Sequence, residues 1–204
     1  MANIHLLLLA AGASSRMKEP KQLLSWNNTT LIEHQLENLI ETNCKVSVVL
    51  GAKSSEIQKV ISNLTVSIYT NENWKKGMGT SIAFGVQQIL KKDVSIDGIL
   101  ISLIDQPLLT SKHFNKMIHH FQQDKKQIIV SKSENGWSGA PVLFDKLYFK
   151  ELINLKGDEG AKAIISKNKN IVESIAGNTI LEDIDTPFKY QLLLKQINNI
   201  NPKT

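Results

Sequence analysis

Short apolar segments alternate with segments of helical periodicity along the whole sequence, and this alternation restricts the folds open to the chain. A repeated strand and helix order is typical of α/β proteins, in which the connecting helices bring successive strands into a mainly parallel sheet. Segments with the length and composition of strands lie at residues 4–9, 46–50, 66–69, 98–103, 127–130, 140–144 and 171–175. The sequence therefore predicts an α/β fold with a sheet of about seven strands.

The segments between these strands carry apolar side chains on one side at helical spacing, at about residues 31–42, 55–61, 78–90, 114–121, 158–166 and 188–197. Two residue pairs have the spacing of a capping box and predict the starts of the first two helices, namely Thr30 with Glu33 and Ser55 with Gln58. The remaining residues, 198–204, are polar. We therefore expect one domain over residues 1–197, followed by a polar carboxyl-terminal tail at 198–204 that frays.

Composition excludes several classes of protein. The hydrophobic fraction of 42% and the charged fraction of 21% are ordinary for a globular domain. The longest apolar run, residues 6–11, is far shorter than the roughly 20 residues needed to cross a bilayer, and no basic residue precedes it as in a signal peptide. Cys44 is the only cysteine, which excludes an intramolecular disulfide. We expect a cytoplasmic protein without a membrane partner.

The net charge of +5 is compatible with a nucleic acid or a small anion as ligand, and also with a solvated basic surface. The lysines are scattered, and no stretch combines dense basic residues with aromatic residues. We therefore predict no nucleic-acid partner, and the charge pattern by itself favours a solvated surface.

The segment after the first strand is the most informative part of the sequence. It consists of Leu9, Ala10, Ala11, Gly12, Ala13, Ser14, Ser15, Arg16, Met17, Lys18, Glu19, Pro20 and Lys21. Small residues allow backbone N–H groups to approach a polyphosphate, and Arg16 and Lys21 add two positive charges. The segment matches neither the dinucleotide fingerprint nor the P-loop. It indicates a polyphosphate site, and the alternative is an ordinary turn with solvated cations.

This segment resembles the opening of the molybdopterin-type nucleotidyltransferases, which reads L-A-A-G-x-S-x-R-M-G-x-x-K or close to it. Further matching residues follow in the same order over nearly the full chain: Asn73, Trp74, Gly77, Met78, Thr80, Ser81, Asp105, Gln106, Pro107, Gly139, Pro141, Gly157, Asp158, Gly160, Ala161, Asp183, Ile184, Asp185, Thr186 and Pro187. Their joint occurrence is far more specific than the first motif alone. The chain is identified as a member of this family.

The resemblance implies a three-layer α/β/α, Rossmann-like fold with a mostly parallel sheet, one antiparallel strand and a site at the carboxyl edge. It also implies that Asp105 and Asp185 hold Mg²⁺ on the triphosphate, with Asp183 as a competitor for the second position. Mg²⁺ is commonly held by one or two carboxylates together with phosphate oxygens. The competing structural roles are a turn ahead of Pro107 for Asp105 and a helix N-cap for Asp185.

The resemblance further assigns roles to individual residues. Arg16, Lys21 and Asp105 are implied to be catalytic. The implied nucleotide-binding residues are Leu9, Ala10, Ala11, Gly12, Ser14, Ser15, Arg16, Lys21, Asn73, Gly77, Met78 and Ser81. The implied acceptor-side residues are Gln106, Gly139, Pro141 and Asp158. These roles are expectations from the family, and the residue types alone do not establish them.

The order Ala10, Ala11, Gly12 resembles the cytidylyl branch of the family, which makes CTP the expected nucleotide. The implied reaction transfers CMP to the terminal phosphate of molybdenum-loaded molybdopterin and releases pyrophosphate. A molybdoenzyme or its chaperone is the implied protein partner, and we expect a monomer. Two alternatives stay open: transfer to a sugar phosphate or another phosphorylated alcohol, and a non-catalytic carrier of nucleotide or cofactor.

The sequence departs from the family pattern at a few positions. Lys18 stands where a glycine is usual, and Ala140 stands where a larger side chain is frequent. Phe188 and Lys189 follow Pro187 where acidic residues are frequent. These departures concern the acceptor and the end of the last motif more than the fold.

Overall fold

The structure, a computed structural model, describes residues 2–17 and 19–200. Seven strands form one sheet, with the bounds β1 Ile4–Ala10, β4 Lys45–Leu50, β5 Ser67–Thr70, β6 Gly98–Leu103, β7 Ile128–Lys132, β8 Ser138–Asp145 and β9 Val172–Ala176. Their order in the sheet is β5-β4-β1-β6-β8-β7-β9. A small additional sheet, which the sequence did not predict, joins β2 (Ser25–Trp26) to β3 (Thr29–Thr30). The prediction of seven strands in the main sheet is confirmed.

Strand directions place the carboxyl ends of the central strands at one edge. β1 is parallel to β4 and β6, β4 is parallel to β5, and β7 is parallel to β9. β8 is antiparallel to both of its neighbours, β6 and β7. The register pairs Leu9 of β1 with Leu103 of β6, so the segments that follow these two strands leave the sheet side by side. The expectation of a mostly parallel sheet with one antiparallel strand is confirmed.

Helices cover both faces of the sheet. Their bounds are α1 Leu31–Ile40, α2 Ser54–Val60, α3 Met78–Lys92, α4 Ser111–His120, α5 Phe149–Leu152, α6 Lys162–Lys167 and α7 Pro187–Ile200. One core lies between the sheet and α1, α2, α4 and α7, and the other lies between the sheet and α3, α5 and α6. Leu6 and Leu8 of β1 belong to the first core, while Leu7 and Leu9 belong to the second. Burial on both faces explains the continuous apolar run of β1 and confirms three layers.

The two predicted capping boxes have different outcomes. At α1, the Thr30 side chain accepts from the Glu33 N–H, and the Glu33 carboxylate accepts from the Thr30 N–H at 2.9 Å. At α2, the predicted box is wrong, because the helix begins at Ser54 after Lys53, which has a left-handed φ of 56°. Because of the turn at Lys53, the helix begins at Ser54, one residue before the predicted start at Ser55. The Gln58 side chain donates to Thr70 and does not cap the helix. Local spacing was overridden there by the turn after β4.

The last helix, α7, continues to Ile200, three residues beyond the predicted domain end at residue 197. The rest of the predicted tail, residues 201–204, lies outside the described residues, as does Lys18. Within residues 2–17 and 19–200, no helix has the length and apolar character needed to cross a membrane.

Candidate active site

The segment after β1 folds back on itself through polar contacts. The Lys21 N–H donates to Ser14 Oγ at 2.9 Å, and Ser14 adopts a left-handed φ of 55°. The buried Gln22 amide donates to the Ala10 carbonyl at 2.7 Å and to the Gly12 carbonyl at 3.0 Å. These two hydrogen bonds from Gln22 hold the start of the glycine-rich turn in place. Gln22 follows the last position of the motif and has no distinctive spacing, so the sequence carries no signal for this role.

Lys21 lies at the centre of an ionic cluster. Its side chain is only 11% exposed, and its Nζ lies 3.3 Å from Asp105 Oδ2 and 3.1 Å from Asp185 Oδ1. The Arg16 Nη2 atom also lies 3.1 Å from Asp185 Oδ1. The three predicted catalytic residues and the second predicted metal ligand thus meet at one point, although they come from three separate parts of the sequence.

Backbone contacts position the two carboxylates. Asp105 follows β6, and its carbonyl accepts from the Ile184 N–H at 2.7 Å, which joins the late segment to the strand end. At the start of α7, the Thr186 hydroxyl accepts from the Lys189 N–H at 3.2 Å. Thr186 therefore provides the N-cap interaction that was the competing role for Asp185. The Asp185 carboxylate points to Arg16 and Lys21 instead.

Asp183 is the third carboxylate of this region. Burial raises its pKa from 3.8 to about 6, and the negative charges of Asp105 and Asp185 add to the shift, while a hydrogen bond from Gln106 and the charge of Lys21 oppose it. Asp185, whose carboxylate contacts Arg16 and Lys21, stays the predicted partner of Asp105, and Asp183 stays its competitor.

The carboxylate pair fits a divalent cation. Asp105 Oδ1 is buried and has no hydrogen-bond partner among the described residues, although Oδ2 of the same group contacts Lys21. Carboxylate oxygens are the ligands that Mg²⁺ prefers, and it takes its remaining ligands from water and phosphate. Among residues 2–17 and 19–200, no group of three or more His, Cys, Asp or Glu side chains is arranged to hold a metal ion. Any metal here would depend on two carboxylates and on the nucleotide.

A cleft of about 550 Å³ opens above the cluster, and we call it the nucleotide cleft. The predicted nucleotide-binding residues that line it are Leu9, Ala11, Gly12, Ser14, Ser15, Arg16, Lys21, Gly77, Met78 and Ser81. Ala10, the last residue of β1, is buried and does not line the cleft. Asn73 lies outside the lining, and its carbonyl accepts from the Thr80 hydroxyl at 3.1 Å. The binding roles stay predictions, while the spatial grouping is a finding.

Glycines shape the far wall of the nucleotide cleft. Gly77 has a φ of 104°, and a Cβ there would lie 2.4 Å from Asp158 Oδ1. The Gly79 N–H donates to the Gly157 carbonyl at 2.8 Å, so the start of α3 lies directly against residues 157–158. Asp158, which was predicted on the acceptor side, lines the same cleft as the glycine-rich segment. Its acceptor role stays a prediction.

A second cavity of about 520 Å³ lies beside the nucleotide cleft, and we call it the acidic cavity. Its lining residues are Ser133, Glu134, Asn135, Trp137, Asn178, Thr179, Leu181, Glu182, Asp183, Asp185 and Lys189. Most of these residues were not predicted, because they lie in connections without a motif. The other predicted acceptor-side residues, Gln106, Gly139 and Pro141, line neither cavity. Gln106 donates to the Ala140 carbonyl at 3.1 Å, so it supports the strand beside the site.

Comparisons with known proteins agree with this geometry. The sequence model of the MobA-like NTP transferase domain matches residues 6–172. Molybdenum cofactor cytidylyltransferase from Escherichia coli (strain K12) is 25% identical over 188 residues, which cover 92% of this chain and 93% of that protein. Nicotine blue oxidoreductase from Paenarthrobacter nicotinovorans is 28% identical over 189 residues, which cover 88% of this chain and 91% of that protein. Proteins with different names therefore align with almost the whole chain.

Solved structures show the same architecture. The crystal structure of Rv0371c from Mycobacterium tuberculosis H37Rv aligns with a TM-score of 0.84 at 25% identity and covers 95% of this chain and 98% of its own. A complex of that protein with manganese aligns with a TM-score of 0.80 at 24% identity, covering 95% and 99%. The family match spans most of the sequence, and the fold and the clustered motif residues agree with it. The chain belongs to the MobA-like NTP transferase family and is a nucleotidyltransferase, as its sequence resemblance predicts.

Proposed function

We propose that the protein transfers CMP from CTP to the terminal phosphate of molybdenum-loaded molybdopterin and releases pyrophosphate in an Mg²⁺-dependent reaction. The observation that supports this most strongly is the convergence of Arg16, Lys21, Asp105 and Asp185 at the base of the nucleotide cleft. The order Ala10, Ala11, Gly12 supports CTP. The likeness to the Escherichia coli cytidylyltransferase supports both CTP and the molybdenum cofactor as acceptor.

Asp105 and Asp185 are the residues that would hold Mg²⁺. The unpaired, buried Oδ1 of Asp105 supports this assignment, because a carboxylate oxygen without a donor is costly unless a cation or a ligand satisfies it. The manganese complex of the Mycobacterium tuberculosis relative supports the use of a divalent cation. When bound, the cation supplies charge neutralisation to the triphosphate.

The reaction itself is a displacement at phosphorus. An oxygen of the acceptor's phosphate forms a bond to the α-phosphorus of CTP, and the bond from that phosphorus to the bridging oxygen breaks, so its electron pair leaves with pyrophosphate. The acceptor phosphate is already ionised near neutral pH, so no general base is needed. The protein's contribution is to hold the two reactants in line and to balance the charge on the leaving group.

Arg16 and Lys21 provide that balance. Each contacts a carboxylate in the structure, and each lies in the segment whose small residues leave room for phosphate oxygens. On nucleotide binding, the Lys21 ammonium donates to phosphate oxygens. The backbone turn held by Gln22 keeps the N–H groups of the segment available to the same phosphates.

A pyrophosphate-release assay tests the proposal. CTP, GTP, ATP and UTP are each supplied with Mg²⁺, with and without metallated molybdopterin, and with a sugar phosphate as a second acceptor. We expect release only with CTP and molybdopterin together. Release with a sugar phosphate instead would replace the acceptor in this proposal, and triphosphate binding without release for any acceptor would indicate a carrier.

A further inference from the structure

The acidic cavity is a separate compartment beside the nucleotide cleft, and Asp185 connects the two. Asp185 lines the acidic cavity, while its Oδ1 lies 3.1 Å from Lys21 Nζ and 3.1 Å from Arg16 Nη2. Lys21 and Arg16 both line the nucleotide cleft. A molecule in the acidic cavity would therefore end next to the cations at the base of the cleft, which is the position that a second substrate of a transferase must reach.

The charge of the cavity restricts what can occupy it. The cavity is lined by one ammonium group, that of Lys189, and by four carboxylates, those of Glu134, Glu182, Asp183 and Asp185. Lys189 already donates to Glu182. Because excess negative charge repels anions, the walls disfavour a substrate whose body carries further phosphate or carboxylate groups. Carboxylate oxygens accept hydrogen bonds, so they favour a body with N–H groups.

The cavity also offers an aromatic surface. Trp137 lies in the turn between β7 and β8 and is 43% exposed. The turn is closed by the Ser133 N–H, which donates to the Trp137 carbonyl at 2.9 Å. A Cβ at Gly139 would lie 2.6 Å from the Trp137 ring, so the absence of a side chain at residue 139 lets the indole lie against the strand backbone. An indole supported in this way presents a surface on which a planar ring can stack.

On the basis of the proposed nucleotidyl transfer, we infer that the acidic cavity binds the body of the acceptor, as a planar heteroaromatic ring with N–H groups that stacks on Trp137 and donates to Glu134. The reacting phosphate of the acceptor lies toward Asp185, where Arg16 and Lys21 balance its charge. A pterin ring meets this description. A sugar phosphate does not, because it has no flat aromatic face.

Binding of a small probe to the full chain tests this inference. The probe is 6-hydroxymethylpterin, a neutral pterin, measured by equilibrium dialysis through its own fluorescence. Trp137→Ala is expected to weaken its binding about tenfold because stacking is lost, whereas Trp137→Phe keeps an aromatic ring and stays within about threefold of the parent. The matched control is Leu147→Ala: Leu147 is 52% exposed and follows the other end of β8, so its replacement leaves probe binding unchanged.

Two further measurements address the support and the charge of the cavity. Gly139→Ala displaces the indole without changing a polar group, so it should weaken probe binding about threefold in the parent and not further in Trp137→Ala, as expected for residues in contact. Pterin-6-carboxylate, an anionic probe, is expected to bind more weakly than the neutral probe. Glu134→Gln should reduce that difference, because it removes one repelling charge from the wall.

The results separate this inference from the proposed function. CTP binding in the presence of Mg²⁺ should be equal in the parent, Trp137→Ala and Leu147→Ala, which also shows that the variants are folded. Parent-like probe binding by Trp137→Ala, or tighter binding of ribose 5-phosphate than of the neutral pterin, would overturn the inference. If Trp137→Ala weakens pterin binding but CTP yields no pyrophosphate with molybdopterin, the cavity assignment holds and the proposed reaction fails.

Discussion

The nucleotide cleft and the acidic cavity lie side by side, and they are built differently. The cleft is formed at the ends of the two central strands, β1 and β6, and its central cation, Lys21, is almost fully buried. The acidic cavity is formed by the turn at residues 133–137 and by the connection at residues 178–185 together with the start of α7. The cleft carries paired charges of both signs, whereas carboxylates predominate in the cavity.

This difference suggests a division of tasks. Groups at the ends of parallel strands are held by many backbone hydrogen bonds, so they suit the part of a reaction that demands fixed geometry. Connecting loops tolerate change and are where specificity for a second substrate varies at small structural cost. The two relatives with different names align with this chain at 25% and 28% identity over about nine tenths of its length. One scaffold with exchangeable loops accounts for such a pattern.

The sharpest test of the comparison is Asp105→Asn. The amide keeps the shape of the side chain but removes the charge that faces Lys21, so we expect pyrophosphate release to fall by about a thousandfold or more. Binding of the neutral pterin to the acidic cavity should stay unchanged, because Asp105 does not line it. The assay is pyrophosphate release with CTP, Mg²⁺ and molybdopterin.

Asp93→Asn is the matched control for this variant. Asp93 also pairs with a lysine, Lys45, at 2.8 Å, but it follows α3 at the opposite edge of the sheet. Its replacement should leave the rate unchanged. Retention of more than about a tenth of the parent rate by Asp105→Asn would exclude an essential role for this carboxylate.

Lys21→Met should have the next largest effect. Methionine fills a similar volume without the ammonium, and the loss of phosphate contacts should lower kcat/KM for CTP about a hundredfold. Lys167→Met provides the control, since Lys167 forms an exposed ion pair with Glu151 at 3.2 Å and lies outside both cavities. Equal effects of the two substitutions would contradict the special position of Lys21.

The comparison also explains which parts of the site could be predicted from the sequence. The cleft follows from short-range signals: small residues after a strand, two cations at fixed spacing and an aspartate after another strand. A parallel sheet places such strand ends at one edge, and the family resemblance implied that Lys21 and Asp105 act together there. The salt bridge between them bears out their spatial convergence.

The acidic cavity could not be predicted in this way. Asp183 and Asp185 belong to the last motif, but most of the cavity's other residues come from connections in which neither periodicity nor a motif fixes the backbone. Nothing in the sequence distinguishes Trp137 as a lining residue. The position of the Trp137 ring depends on Gly139, because the missing side chain there leaves room for the indole. This contact exists only in the folded chain. The failure at Ser55 has a related cause, because a left-handed residue at position 53, set by the turn after β4, moved the helix start. In both places tertiary geometry decided the outcome.

Acidification should destabilise the contacts between α4 and the strands β7 and β8, which flank the turn of the acidic cavity. Burial, with a contribution from the charge of Lys116, lowers the pKa of His113 to about 4, and its Nε2 lies 2.8 Å from Ser131 Oγ, which in turn donates to the Pro141 carbonyl at 3.0 Å. The unfolded chain takes up a proton near pH 6.5 and the folded chain does so only near pH 4, so stability is full above pH 6.5 and falls as the pH decreases toward 4.

We expect His113 to account for about 2 kcal/mol of the free energy of unfolding lost between pH 7 and pH 5. Urea unfolding of the parent and of His113→Gln at the two pH values measures this contribution. His5 provides the comparison far from both cavities, because burial also lowers its pKa to about 4. His113→Gln and the matching variant His5→Gln should each reduce the pH dependence of stability, but only His113→Gln should also change pterin binding. An unchanged pH dependence in His113→Gln would contradict the assignment.

Gln22→Met should have the smallest effect, and one confined to the nucleotide cleft. The side chain donates to the Ala10 and Gly12 carbonyls and lies beneath the turn, so its loss should loosen the turn without removing a charge. We expect KM for CTP to rise about tenfold, with kcat changed less than about threefold, because one buried and one part-buried carbonyl lose their donor while the cations stay in place.

Gln22→Glu should not restore binding, since an ionised carboxylate has no proton to donate. Gln58→Met is the control: Gln58 also donates through its amide, to Thr70, but lies outside both cavities and should leave KM unchanged. If Gln22→Met weakened pterin binding as strongly as CTP binding, the two compartments would share one support, and the division between a rigid cleft and an independent acidic cavity would fail.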